Sequence, residues 1–349
     1  MQQDRPANRR VTATDVAKRA GVSRSAVSRT FTAGASVSPK TRERIMTAAQ
    51  ELGYRVNMVA RGMMKRTHLV GLVVSDLDNS FRASLVDALA RRLVAMDFHP
   101  FMLPTDRDQN IEQLIDMMLR YNVTGAIVTS DTSPTEITQA CADFGVPLVL
   151  VNKPRPNDLV ATVTLDADQA GRLAAEALAE AGCRDVAIAS QRRASYSIDQ
   201  RKAAFVKHCQ ALNLTCVGDF QGAAQNYHGG IEAAQAMADR LTQVQGVFCV
   251  NDYLALGFMD WVRHHTHRRI PEDLAVVGCD DIDQAAWQAY DLTTIRQDTD
   301  RLAEATLAAL VARIDAPTQA ATHPVIDAQL VRRGSTARSG AVTSLPKPG

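Results

Sequence analysis

The sequence predicts an α/β protein in which a small, basic, all-helical module precedes a larger body of doubly wound parallel sheets. Three observations carry that expectation. Charge is partitioned: residues 1–66 hold fourteen Lys and Arg against four Asp and Glu, a balance of +10, while residues 67–349 hold 25 against 34, a balance of −9. The basic stretch shows helical spacing punctuated by capping residues and glycines. The remainder alternates short uninterrupted apolar runs with amphipathic segments, the pattern of strands covered by helices on both faces. At 349 residues and 46% hydrophobic, the chain is long enough for two or three domains with real cores. No apolar run approaches the ~18 residues of a membrane span, and residues 1–10 lack an export-type apolar stretch, so a soluble cytoplasmic protein is expected. The six cysteines, at 141, 183, 209, 216, 249 and 279, have no zinc-type spacing, which fits a reducing compartment.

Within the basic module, Thr12 followed by Asp15 predicts a cap with an acid in the first turn. Val16, Ala17 and Ala20 then form one apolar face before Gly21 stops a helix of about eight residues. Val22 pins the turn and Ser23 caps a second helix, in which Val27 and Phe31 face inward while Arg24, Ser25, Ser28 and Arg29 occupy the free side. Ser38 as cap, Pro39 at the first helical position and Ile45, Ala48, Ala49 and Leu52 on one face predict a third helix ending at Gly53. Two short helices joined at a glycine, the second with long donors on its free face, form the helix-turn-helix arrangement whose second helix enters the major groove.

The run DVAKRAGVSRSAVSRTF, followed by VSPKTRERIMTAAQELGYRVN, resembles the headpiece of the lactose/galactose repressor (LacI/GalR-type) family of bacterial transcription regulators. The resemblance implies that Arg24, Ser25 and Arg29 read base edges, a task for which the planar arginine fork suits guanine N7 and O6. It also implies DNA contacts from Thr12, Ser23, Ser38 and Asn57; Ser28 is divided between phosphate contact and plain solvent exposure. Residues 55–66 match the family's hinge, a linker that folds to a helix on the operator. Met63 stands at its apolar wedge position, where the family usually has leucine; a methionine packed against the body is the alternative. Val56 replaces a favoured proline, and Gly62 costs ~1 kcal/mol relative to alanine in a helix, so this hinge is expected to order less readily than is usual for the family.

In the body, strand-like runs fall at 68–75, 98–103, 125–130, 147–152, 186–190, 246–251 and 274–279, with helical stretches at 82–96, 110–120, 135–144, 167–181, 199–212, 229–241 and 253–264. No strand leads into a GxGxxG or P-loop pattern, so no nucleotide cofactor is indicated. About 280 residues of such alternation is large for one sheet, and two similar lobes are expected, with the first crossover near Leu165–Asp166. The resemblance extends to about residue 336 and implies a two-lobed periplasmic-binding-protein-like core with three crossovers and a small-molecule cleft. The expected organisation is a DNA-binding headpiece at 1–54, a hinge at 55–66, an effector-binding and dimerisation core at 67–336 and a disordered tail at 337–349. Within the core, the N-lobe is expected at about 67–165 and 295–322 and the C-lobe at about 166–294 and 323–336.

Cleft residues follow from the same resemblance. Arg201, which opens the family's R-x-x-[GA]-[FW] motif, is implied to hold ligand hydroxyls or a carboxylate, Asp280 to accept from sugar hydroxyls, and Asn251 to occupy a strand end in the cleft. Each has a plainer alternative as a surface arginine or a helix cap, and Asp166 is evenly divided between ligand and cap. Phe81 belongs to a family landmark at the cleft, while Phe220 and Trp287 stand between a stacking platform for a sugar ring and ordinary core packing. Arg82 departs from the family, which commonly has an aromatic there. With Arg201, Lys153 and Arg155 it would give a cleft of positive potential, so an acidic sugar or sugar phosphate is the expected effector class; the alternative is that Arg82 pairs with a nearby acid and points away.

No catalytic constellation is present, so a non-enzyme is expected. The run His264–His265–Thr266–His267 reads as a cationic helix end rather than a metal site, and no metal or cofactor is expected. The expected function is a ligand-responsive, sequence-specific regulator, a repressor of a carbohydrate or sugar-acid operon. An activator or corepressor-dependent regulator of the same fold and a transport-type solute-binding protein are the alternatives. Expected partners are pseudo-palindromic double-stranded operator DNA, a small-molecule effector and a second copy of the chain in a homodimer, with no membrane partner.

Overall fold

The computed structural model describes residues 11–31, 36–52, 54, 67–105, 111–130, 134–193 and 195–338. The chain divides into two compact units, Met1–Thr67 and His68–Gly349.

In the first unit, α1 spans Ala13–Ala20, α2 Arg24–Thr30 and α3 Pro39–Leu52. A capping box starts α1: the Thr12 hydroxyl accepts from Asp15 N, and the Asp15 carboxylate accepts from Thr12 N at 2.8 Å. Such a cap contributes about 1 kcal/mol. Gly21 closes the helix at φ 63°, ψ 43°, a left-handed conformation in which its N–H reaches back to the Ala17 and Lys18 carbonyls. That turn delivers Ser23, whose hydroxyl caps α2 by accepting from Ala26 N at 3.2 Å. Val16, Ala17, Ala20, Val27, Ile45, Ala48 and Ala49 then pack as one core. Arg42 Nη1 donates to Thr30 O at 3.0 Å and Arg44 Nη2 donates to Ala20 O, so α3 also ties down the carbonyls at the ends of both shorter helices.

The second unit holds two six-stranded sheets. The N-lobe sheet contains β1 (Leu69–Val74), β2 (His99–Pro104), β3 (Gly125–Val128), β4 (Leu148–Val151), β5 (Ala161–Leu165) and β11 (Val325–Ile326), with helices α4 (Ser80–Ala95), α5 (Ile111–Arg120), α6 (Pro134–Asp143) and α11 (Thr299–Asp315). The C-lobe sheet contains β6 (Asp185–Gln191), β7 (Thr215–Gly222), β8 (Gly246–Cys249), β9 (Ala275–Asp280), β10 (Thr293–Arg296) and β12 (Gln329–Val331), with helices α7 (Ala167–Glu180), α8 (Tyr196–Ala211), α9 (Tyr227–Met237) and α10 (Asp252–His265). All pairings are parallel except β10 with β12.

Strand order is β2-β1-β3-β4-β5-β11 in one sheet and β7-β6-β8-β9-β10-β12 in the other, so each lobe reverses its winding beside its first strand. β3, β4, β8 and β9 are buried along their whole length, which is why they read as unbroken apolar runs. In the N-lobe, α4 and α11 cover one face through Leu85, Leu89, Leu93, Leu302 and Leu310, and α5 and α6 cover the other through Leu114, Met118 and Ile137. In the C-lobe, α7 packs on α8 and α9 on α10. The second of these pairs is close enough that a Cβ at Gly257 would collide with the Tyr227 carbonyl.

Several boundaries differ from the sequence reading. β10 pairs with β9, so the second crossover follows residue 297 rather than 294; β11 pairs with β5, so the third follows Ile326 rather than 322. β5, β7, β10, β11, β12 and α11 were not among the expected elements. Ala337 and Arg338, assigned to a disordered tail, are held in place, because the Arg338 guanidinium donates to Pro271 O at 2.9 Å and Gln245 O at 2.5 Å. Residues 339–349 of that tail lie outside the described residues.

Candidate functional site

In the first unit the free face of α2 carries Arg24, Ser25, Ser28 and Arg29, all exposed, while Val27 and Thr30 are buried beneath it. The Ser25 and Ser23 hydroxyls lie 2.9 Å apart, which fixes the start of the helix. Thr12, Ser23 and Ser38 are exposed, and each hydroxyl accepts from a backbone N–H three residues on, so all three hold helix starts in place. Asn57 and Met63, and with them the hinge, lie outside the described residues.

In the second unit the carboxyl ends of the strands converge on a cleft between the lobes, where ligands of doubly wound sheets bind. Ser75 follows β1, Thr129 β3, Asn152 and Lys153 β4, Asn251 β8 and Gln297 β10, while Asp280 ends β9. The inner compartment is lined by Phe81, Arg82, Lys153, Arg201, Asn251 and Asp280 among others.

At its floor Arg201, only 5% exposed, donates from Nη1 to Val250 O at 2.9 Å and to Cys279 Sγ at 3.2 Å, and lies 3.6 Å from Asp280 Oδ1. Gln297 Nε2 donates to the same Asp280 oxygen at 2.5 Å, and Asn152 Nδ2 donates to Gln297 Oε1 at 3.3 Å, carrying the network from the C-lobe to the N-lobe. Asp280 sits at φ 126°, a conformation that L-residues rarely adopt and that surrounding structure must impose. Burial pushes its carboxyl up to about 6, against the downward pull of Arg201, Gln297 and Arg82. Behind it, Asp252 is fully buried and accepts from Thr294 Oγ1 at 2.5 Å and Ile282 N at 3.0 Å. Burial, with Asp280 nearby, pushes this second carboxyl up to about 8.

Five of the eight expected cleft residues therefore line it: Phe81, Arg82, Arg201, Asn251 and Asp280. Phe81 packs against the cores of both lobes. Asn251 also caps α10, with Oδ1 accepting from Leu254 N at 2.8 Å. Arg82 lines the cleft rather than pointing away from it, but it also pairs with an acid: its Nη1 donates to Asp76 Oδ2 and Ser75 Oγ, each at 2.9 Å.

The other three are corrected, together with one expected cation. Asp166 caps α7 through Gln169 N at 2.9 Å and does not line the inner compartment. Phe220 leans on the C-lobe core from the edge strand β7. Trp287 is 55% exposed on the turn that ends a short 3-10 segment, away from the inner compartment. Arg155 is paired with Asp158 at 2.5 Å on the surface. Thr129, Asn152, Ser195, Gln225 and Gln297 line the compartment and were missed. Position was an available signal for Asn152, which ends the strand-like run at 147–152, whereas Gln297 follows β10, a strand the sequence reading did not include.

A helix-turn-helix unit followed, in the same chain, by a two-lobed sheet body with a polar cleft at its switch points has the architecture of a DNA-binding transcriptional regulator. A family model for bacterial regulatory proteins of the lacI family matches residues 12–57, and one for the periplasmic binding protein-like domain matches residues 175–336. Along 94% of its length the chain is 31% identical to the HTH-type transcriptional regulator CelR of Thermobifida fusca, covering 98% of that protein. It is 28% identical to catabolite control protein A of Priestia megaterium, over 82% of this chain and 87% of that one. Among solved structures it resembles the lac repressor dimer bound to operator and the anti-inducer ONPF, with TM-score 0.84 and 25% identity over 94% of this chain and 99% of that one. It also resembles a CelR–cellobiose complex, with TM-score 0.70 and 29% identity over 93% of this chain and all of that one. The chain belongs to the lacI family of bacterial regulatory proteins and is a transcriptional regulator. Among the described residues no helix is long and apolar enough to cross a membrane.

Proposed function

We propose that this regulator is a repressor of a carbohydrate-utilisation operon that binds a pseudo-palindromic operator as a homodimer and changes its DNA affinity when a sugar-class effector occupies the interlobe cleft. The observation that carries this reading is the buried Arg201–Asp280–Gln297–Asn152 network. It presents a charged donor and a charged acceptor at the junction of two lobes, and such a pair recognises vicinal hydroxyls. Because the network spans both lobes, a ligand that re-partners its members acts on how the lobes meet, which is the differential contact that allosteric coupling requires.

An acidic sugar or sugar phosphate is favoured by the lining itself, in which Arg82, Lys153 and Arg201 outnumber the carboxylate of Asp280. A neutral sugar is favoured by the Arg82–Asp76 pairing and by the relative whose solved complex contains cellobiose. Thermal unfolding of the full chain against neutral sugars, sugar acids, sugar phosphates and purines tests both. A ligand at about a hundred times its Kd adds ~2.7 kcal/mol of stability, a shift of several degrees. Stabilisation by purines alone would overturn the sugar reading.

A further inference from the structure

Two consecutive residues at the end of β9 stand at positive φ, Asp280 at 126° and Asp281 at 57°. Aspartate and asparagine tolerate the second conformation better than most residues, whereas the first persists only where the surroundings impose it. Arg201 and Gln297 hold the Asp280 side chain, and other groups grip the turn itself. The almost wholly buried Asp281 carboxylate sits between two guanidiniums: Oδ2 accepts from Arg296 Nε at 2.6 Å and Oδ1 from Arg333 Nη2 at 2.7 Å. Arg296 is the residue of β10 that pairs in register with Asp280. Arg333, two residues past β12, is itself anchored, with Nη1 donating to Leu292 O at 2.8 Å and its backbone N to Thr293 Oγ1 at 2.9 Å. Charge-assisted bonds of this kind are the strong ones, and here they fix the residue directly beside the strained one. Asp280, held in that way, is faced by Arg201 from α8, Arg82 from α4 and Asp252 from α10.

We propose that Asp281 is a positioning residue of the cleft: clamped by Arg296 and Arg333, it forces the preceding residue into its strained conformation and so aims the Asp280 carboxylate at Arg201 and at the effector. Without the clamp, residues 280 and 281 relax to ordinary backbone angles and the carboxylate leaves the pair for the water of the cleft. The proposal rests on the reading of Arg201 and Asp280 as the recognition pair, and its test separates the two. The first arm asks, by circular dichroism melts of the full chain at pH 7.5, whether Arg201 and Asp280 still feel one another. In the parent, Asp280→Asn recovers much of the melting temperature that Arg201→Met removes, because it relieves a stranded carboxylate. Asp281→Asn is nearly isosteric and asparagine tolerates a positive φ, so that variant folds, and in its background the recovery should fall by more than half. Arg333→Gln, which breaks the clamp from the other side, should do the same. A group that merely stabilised the fold would lower every melt and leave the recovery unchanged. An undiminished recovery in either background overturns the proposal, and so does its absence in the parent, where there would then be no pair to position. The second arm reads recognition with neutral sugars, sugar acids and sugar phosphates. Any of them that raises the melting temperature of the parent should raise that of Asp281→Asn by less than half as much, and an equal rise overturns the proposal. Stabilisation of the parent by none of them overturns the sugar reading instead, and the first arm, which contains no sugar, then decides the positioning alone.

Discussion

Replacing Arg201 with methionine tests whether the floor of the cleft is electrostatically built as described. The guanidinium is 5% exposed, supplies hydrogen bonds to Val250 O and Cys279 Sγ, and faces Asp280 at 3.6 Å. Removing one member of a buried ion pair strands the other, at about 3–5 kcal/mol. For a unit of this size that lowers the midpoint of thermal unfolding by roughly 6–20 °C, at about 2–4 °C per kcal/mol. The deficit has a predictable pH dependence. Burial already raises the Asp280 carboxyl to about 6, and Arg201 is the strongest influence pulling it down, so the variant's folded-state value lies higher still. A carboxyl whose folded value is raised binds its proton more tightly when folded. Its penalty is absent below the unfolded value near 3.8 and grows as pH rises through the folded value. The gap between variant and parent should therefore be wide at pH 7.5 and narrow at pH 5, and Asp280→Asn added to Arg201→Met should recover much of it at pH 7.5. Circular dichroism melts at the two pH values measure this. A deficit that is the same at both, or that Asp280→Asn does not relieve, refutes the ion-pair argument.

Arg24→Ala, on the exposed face of α2, should weaken binding to the preferred operator roughly 5–150-fold, the equivalent of ~1–3 kcal/mol, without shifting the melting of the headpiece; a band-shift titration showing no loss removes Arg24 from base reading. Arg82→Ala should weaken binding of a sugar acid more than of its neutral counterpart, and equal losses in calorimetry would mean that the Asp76 pairing already cancels its charge. Gly62 lies outside the described residues; on the expectation that residues 55–66 fold to a helix on the operator, Gly62→Ala should tighten operator binding, since glycine costs ~1 kcal/mol in a helix, and unchanged or weaker binding would sink that expectation.

What the sequence made legible depended on how local the signal was. The three headpiece helices were readable because Thr12, Ser23, Gly21 and Ser38 act within one turn of their own positions. The central strands were readable because burial on both faces leaves no polar interruption. By contrast, β7 is a half-buried edge strand, TCVGDFQG, whose polar residues hide its period. β11 and β12 are two and three residues long. The site divides in the same way. Arg201 and Asp280 sit in short motifs, and the resemblance placed both at positions that line the cleft. Gln297 reaches Asp280 only through the pairing of β9 with β10, a relation that spacing along the chain does not express. Trp287 was misjudged because an aromatic on an exposed turn looks, in sequence, like one aimed into a cleft.

The most direct measurement is the affinity of the full chain for an operator selected from a random duplex pool, with and without a saturating concentration of the sugar that raises its melting temperature. Coupling of ~1–3 kcal/mol predicts a change of roughly 5–150-fold in operator affinity, matched by an equal change in sugar affinity when operator is present. Identical operator affinity with and without bound sugar would contradict the linkage between cleft and DNA.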